Sequence, residues 1–171
     1  MKLNYIYELL LFVVLILLQV TVFNQISVFG FATPFLYIYF LLKLPVGRNV
    51  FYVITMGFLM GFIIDIFLNT PGINAVATTL VAAFRQPIVH KFYDKKEDEN
   101  MIPGIHFSFG TFARFSLLIV SIHQTLLHGL ESFSLFNPHI LLLRWLASIT
   151  LTLIIILALD SFSYKKFTSD E

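Results

Sequence analysis

Apolar residues in this chain run in long blocks instead of narrow stripes. Tyr5 to Phe23 is interrupted by a charge or an amide only at Glu8 and Gln19. Further blocks cover about residues 26–44, 50–68, 73–89, 107–130 and 138–159. Each approaches the roughly 20 residues that a helix needs to cross a bilayer. Breakers and polar residues separate them: Asn24 to Gly30, Lys43 to Asn49, Asn69-Thr70-Pro71-Gly72, a charged stretch over 90–103, and Glu131-Ser132-Phe133-Ser134. The pattern predicts six helices in one polytopic membrane domain over residues 1–171. The first block is too long for the apolar part of a cleavable signal, and no small-residue cleavage site follows it. It is expected to be an uncleaved span. The second block is ambiguous. Phe31 to Leu44 is short for a crossing, and Pro34 would start or kink a helix there. It reads as a span beginning at Ile26 or as a re-entrant or interfacial segment.

The third block carries the most telling pattern. Gly57, Gly61 and Asp65 recur every fourth residue and so share one helical face. Two glycines let a neighbouring backbone come close. An aspartate on that face would be costly against lipid, so the face should point at protein. The fourth block is rich in small residues (Ala75, Ala77, Thr78, Thr79, Ala82, Ala83), which mark helix contact. It is the natural partner for the third, across the tight turn at Pro71 and Gly72.

Composition places the chain in its class. Hydrophobic residues make up 58% and charged residues only 12%. Soluble domains carry about 25% charged residues, and a soluble surface could not be built from half that. Net charge is +1, with no basic aromatic patch for nucleic acid. The absence of cysteine excludes disulfides and thiolate metal sites. Charge then sets topology. With the N-terminus in the cytoplasm, the inner segments hold nine basic residues: Lys2, Lys43, Arg48, Arg85, Lys91, Lys95, Lys96, Lys165 and Lys166. The outer loops at about 24–30, 69–72 and 131–137 hold none. Such a bias predicts both termini inside.

Several polar residues fall within the blocks. Asp65 lies roughly 6 Å below the outer end of its helix, and Arg144 roughly 9 Å below the outer start of the last, at 1.5 Å per residue. An intramembrane Asp65–Arg144 pair is expected; alternatively each finds water or backbone by itself. Arg114 and Asp160, near the inner ends of their helices, either pair or reach to the interface. His123, Gln124, His128 and Glu131 cluster near the outer end of the fifth block. His139 could add a ligand, but interfacial polarity explains the group better than a metal does. No catalytic motif is present: there is no G-x-S-x-G, H-E-x-x-H or phosphate loop. No catalytic, cofactor or metal site is expected.

One ordered series resembles a known family. Leu44-Pro45 and Arg48-Asn49-Val50 are followed by Gly57-Phe58-Leu59-Met60-Gly61-Phe62-Ile63-Ile64-Asp65, then by Pro71-Gly72-Ile73-Asn74-Ala75. With Leu18-Gln19 and Pro34, this series over about residues 18–85 is similar to MreD, the rod shape-determining membrane proteins of bacteria. Phe35 departs from that family, where an acid or Asn often follows the proline. The last two blocks match only in hydropathy. The resemblance implies an all-α integral membrane protein, a bundle of about six helices similar to substrate-binding subunits of energy-coupling-factor (ECF) transporters. It implies a non-enzymatic scaffold in the inner membrane. Such a scaffold would bind MreC and couple MreB filaments to RodA and a class B penicillin-binding protein in peptidoglycan synthesis. Gly57, Gly61, Asp65, Pro71 and Gly72 would then serve helix packing or partner binding. A vitamin-binding subunit of an ECF-type transporter is the alternative.

Overall fold

The computed structural model describes residues 2–25, 33–93, 100–131 and 138–168, and these are all-helical, with no strand among them. Helix α1 (Lys2–Leu18) continues through a wider π turn at Gln19–Phe23. A single 3-10 turn (Leu36–Ile38) leads into the short α2 (Tyr39–Lys43). Then follow α3 (Val50–Leu68), α4 (Ile73–Phe92), α5 (Phe109–Glu131) and α6 (Pro138–Thr168).

Local chemistry sets the ends. Asn49 Oδ1 accepts the Phe51 N–H (2.8 Å) to open α3. Asn69 closes it in the left-handed region at φ 54°, its N–H returning to the Asp65 carbonyl. Gly72 precedes α4 at φ 82°, a conformation open to glycine at little cost. Proline stands at the first position of α6.

Tyr5–Phe23, Val50–Leu68 and Leu142–Phe162 are long and apolar enough to cross a membrane. Helices α4 and α5 match them in length but carry more polar residues, several of which face inward. Asn74, Thr78 and Arg85 of α4 are buried, as are Ser116, His123 and Gln124 of α5. The outside is the reverse: Phe51 is 80% exposed, Phe162 72% and Ile6 67%. A soluble protein does not expose apolar surface on this scale. Lipid as the outer solvent explains both halves of the inversion.

The outer helices pack in sequence, α3 on α4, α4 on α5, α5 on α6, with α1 against α2 and α3. Inside them lies the second block. An unbroken helix over 26–44 is not what its described part forms. Residues 33–35 are non-helical, only 36–43 are helical, and every residue from Pro34 to Val46 is buried. Pro34 removes a donor and disfavours helix for Thr33 before it. Irregular backbone at membrane depth is tolerated only where protein surrounds it, and here protein surrounds it on all sides.

Candidate functional site

The polar centre of the bundle begins at Asp65. Its carboxylate lies at the N-terminus of α4 and takes four donors. Oδ2 accepts the Ala75 N–H (2.7 Å). Oδ1 accepts the Asn74 N–H (3.1 Å), Asn74 Nδ2 (3.0 Å) and the Thr70 hydroxyl. Those amides are the second and third of the helix, the ones a capping side chain normally serves. Gly72, at the cap position, has no side chain to serve them. Asp65 thus caps the next helix from the previous one, and its charge lies at the positive end of α4.

The glycines make that reach possible. A Cβ on Gly61 would lie 2.5 Å from the Asn74 carbonyl oxygen and 2.6 Å from the Ala75 Cα. One on Gly57 would lie 2.8 Å from the Ala82 Cβ. The face of Gly57, Gly61 and Asp65 is therefore filled by α4 of the same chain, and no partner helix has room there. Pro71 is exposed at the turn and Gly72 half-buried.

From Asp65 a buried hydrogen-bond chain crosses the bundle. Asn74 turns its Nδ2 to the carboxylate, so its Oδ1 is left to accept from the Tyr37 hydroxyl (2.9 Å). That phenol has one proton and has given it away, so the His123 Nε2 at 2.9 Å is the donor to it. Four elements are joined: α3, α4, the central segment and α5. His123 Nδ1 has no protein partner among the described residues.

The central segment's irregular backbone is satisfied by side chains from the ends of the sequence. Gln19 donates to the Pro34 carbonyl (3.0 Å) and accepts the Leu36 N–H (2.7 Å). Thr152 Oγ1 accepts the Phe35 N–H (3.1 Å), and Ser148 Oγ the Thr33 N–H (3.3 Å). At the other end, Arg85 is fully buried and donates to the carbonyls of Leu41, Leu44 and Pro45. These carbonyls end α2, where Pro45 prevents the helix from continuing. A guanidinium, with five donors in a planar fork, suits three convergent acceptors.

Two ion pairs occur among the described residues. Lys43 Nζ pairs with Asp160 Oδ1 at 2.8 Å and also donates to the Pro103 carbonyl (3.0 Å). Asp160 further accepts from the Tyr39 hydroxyl (2.8 Å) and the Ile105 N–H (2.7 Å), which ties residues 103–105 under the bundle. His106 lies beside this latch, its pKa held below the usual 6.5 by partial burial and by the Lys43 charge, with Asp160 opposing. Arg48 pairs with Glu8 and lies over the Tyr5 ring, joining α3's entry to α1.

The Asp65–Arg144 pair expected from depth does not form. The carboxylate is already saturated by the hairpin it closes, and matching depth does not put two helices side by side. Asp160 takes Lys43 in place of Arg114, which turns outward. Lys43 and Arg85, counted above with the inner loops, are buried in the fold. Within the outer polar group, His123 and Gln124 are buried; the Glu131 side chain and that of His139 lie outside the described residues. Among the described residues no group of three metal-ligating side chains forms. Sequence reasoning missed Arg85, Lys43, Gln19, Tyr37 and Thr152. The available signals were Arg85, a lone cation inside an otherwise uncharged stretch, and Gln19, the lone amide in the first block. Against protein-family profiles, curated proteins and solved structures, the chain finds no match.

Proposed function

We propose that this chain is a six-crossing scaffold of the bacterial inner membrane, with both termini in the cytoplasm, acting in rod shape determination as MreD proteins do. Three observations support it: the apolar exterior, the one-sided basic residues, and the ordered motif series over residues 18–85. The observation that carries most weight is the use made of the buried charges. Asp65, Arg85, Lys43 and Asp160 hold helix ends and one another, the arrangement of a rigid body that others dock on. A partner such as MreC would meet the outward faces instead of the glycine face. Phe58, Phe62 and Ile66 are exposed on α3, and Pro71 is exposed at the outer turn. Photo-crosslinkers at Phe62, Ile66 and Pro71 should reach MreC; if none does, that surface is wrong. Through MreC the chain would couple MreB to RodA and a class B penicillin-binding protein.

A small-molecule subunit of an ECF-type transporter is the second reading. The broken central segment favours it, because interrupted helices often carry substrate sites in transporters. Depletion in a rod-shaped host separates the two. Rounded cells favour the scaffold; vitamin auxotrophy with normal shape favours transport.

A further inference from the structure

Arg114 is the charged side chain whose position the internal network leaves unexplained. It belongs to the outward stripe of α5: Gly110, Arg114, Leu117 and Leu118 are all exposed. Its Nε donates to the Gly110 carbonyl at 3.0 Å, and that is its only hydrogen bond or ion pair among the described residues. The remaining guanidinium N–H groups meet no acceptor among the described residues. On the membrane reading proposed above, this stripe faces lipid, and an unpaired cation there is costly.

The geometry resolves the conflict. Helix side chains tilt toward the N-terminus, and the bond to Gly110 shows Arg114 lying back along α5 by one turn. The N-terminus of α5 is its cytoplasmic end in the proposed topology. The guanidinium therefore rises from the hydrocarbon toward headgroup level, the behaviour of a snorkelling side chain. Gly110 stands in open space beside it, with nothing within 4 Å of where a Cβ would lie. Phe107 and Phe109 stand exposed at the same end of α5, 54% and 59% respectively, where acyl chains would cover them. A fork of free guanidinium donors above an apolar surface matches one chemistry, a lipid phosphate, which it can grip with two parallel hydrogen bonds.

We propose that Arg114, with the gap at Gly110, is a binding site for the phosphate of an anionic phospholipid in the inner leaflet. The site rests on the membrane reading but not on the shape-determination reading. The test uses the full chain, purified alone, in nanodiscs of mixed phosphatidylcholine and phosphatidylglycerol. Preference for the anionic lipid is read from the lipids retained in native mass spectra. Arg114→Gln should lower that preference about fivefold, the usual effect of one basic residue at an anionic surface. Arg114→Lys should retain only part of it, since an ammonium keeps the charge but not the two-pronged grip, and Lys91→Gln, on the exposed face of α4, should change it less. Melting of Arg114→Gln should match the parent, because Arg114 bonds only to its own helix. An unchanged preference in Arg114→Gln overturns the site. So does equal stabilisation of the detergent-solubilised protein by inorganic phosphate. Extraction from membranes by alkaline carbonate would instead sink the membrane reading, and this site with it.

Discussion

Removing the Asp65 carboxylate isolates the capping role most cleanly. Asp65→Ala strands the buried N–H groups of Asn74 and Ala75 and leaves Asn74 Nδ2 only the Thr70 hydroxyl at 3.4 Å. Each buried donor without an acceptor costs about 1–3 kcal/mol. Water near the half-buried turn at Thr70 and Gly72 would recover part of that, leaving a loss of about 3–6 kcal/mol. Asp65→Asn keeps one acceptor oxygen but turns an amide toward another donor, and should lose about 2 kcal/mol. Unfolding by SDS in mixed micelles, followed by circular dichroism and by the single tryptophan, Trp145, would measure both. Double-mutant cycles locate the partner. Asp65→Ala with Asn74→Ala should be strongly non-additive, because the two share bonds. Asp65→Asn with Arg144→Gln should add within about 0.5 kcal/mol. An Asp65→Ala protein within about 1 kcal/mol of its parent, or coupling to Arg144 larger than to Asn74, would refute the capping geometry.

Alanine at three glycines should rank by what its Cβ meets. Gly61→Ala, against α4 backbone, should cost about 3 kcal/mol and Gly57→Ala about 1–2, while Gly110→Ala is neutral or slightly stabilising, read by the same SDS titration. Arg85→Met should leave the three carbonyls at the end of α2 unserved, for a loss of about 3–6 kcal/mol. Arg85→Lys should fall between, since one ammonium cannot bridge them as a planar fork does. His106 predicts a pH effect. Its folded pKa lies below 6.5, so the unfolded chain takes the proton first. The stability it contributes is complete above pH 6.5 and is lost as pH falls through the folded value. Protection factors of the amides in residues 101–107, taken relative to the intrinsic exchange rate at each pH, should fall on acidification, and His106→Gln should flatten that response.

How much was legible varied by element, for physical reasons. Helix α3 could be read almost to the residue, because a continuous apolar run ends at Asn49 and Asn69, both able to hold the backbone turn beside them. The inward turn of Gly57, Gly61 and Asp65 followed from their spacing. The central segment could not be read. A strand of chain buried in protein and a helix bathed in lipid show the same hydropathy, and a segment covered on all sides has no periodic face. The Asp65 carboxylate needed donors, and charge arithmetic nominated Arg144. The better clue was Gly72, a helix start with no capping side chain, only seven residues on. Arg85 and Lys43 were counted as loop cations because counting treats every basic residue as wet. Only the position of the α2 carbonyls reveals what Arg85 is for.

The central segment carries a consequence for biogenesis. The hydroxyls that receive the Thr33 and Phe35 amides belong to Ser148 and Thr152, more than a hundred residues downstream. While the ribosome is still making the intervening helices, that piece of backbone has no complete set of partners and no helix of its own to shelter in. Integration cannot finish in the order of synthesis. Arrival of the last helix is the step that closes the interior, and a chain stopped before it would present insertion quality control with open backbone amides at the heart of the protein.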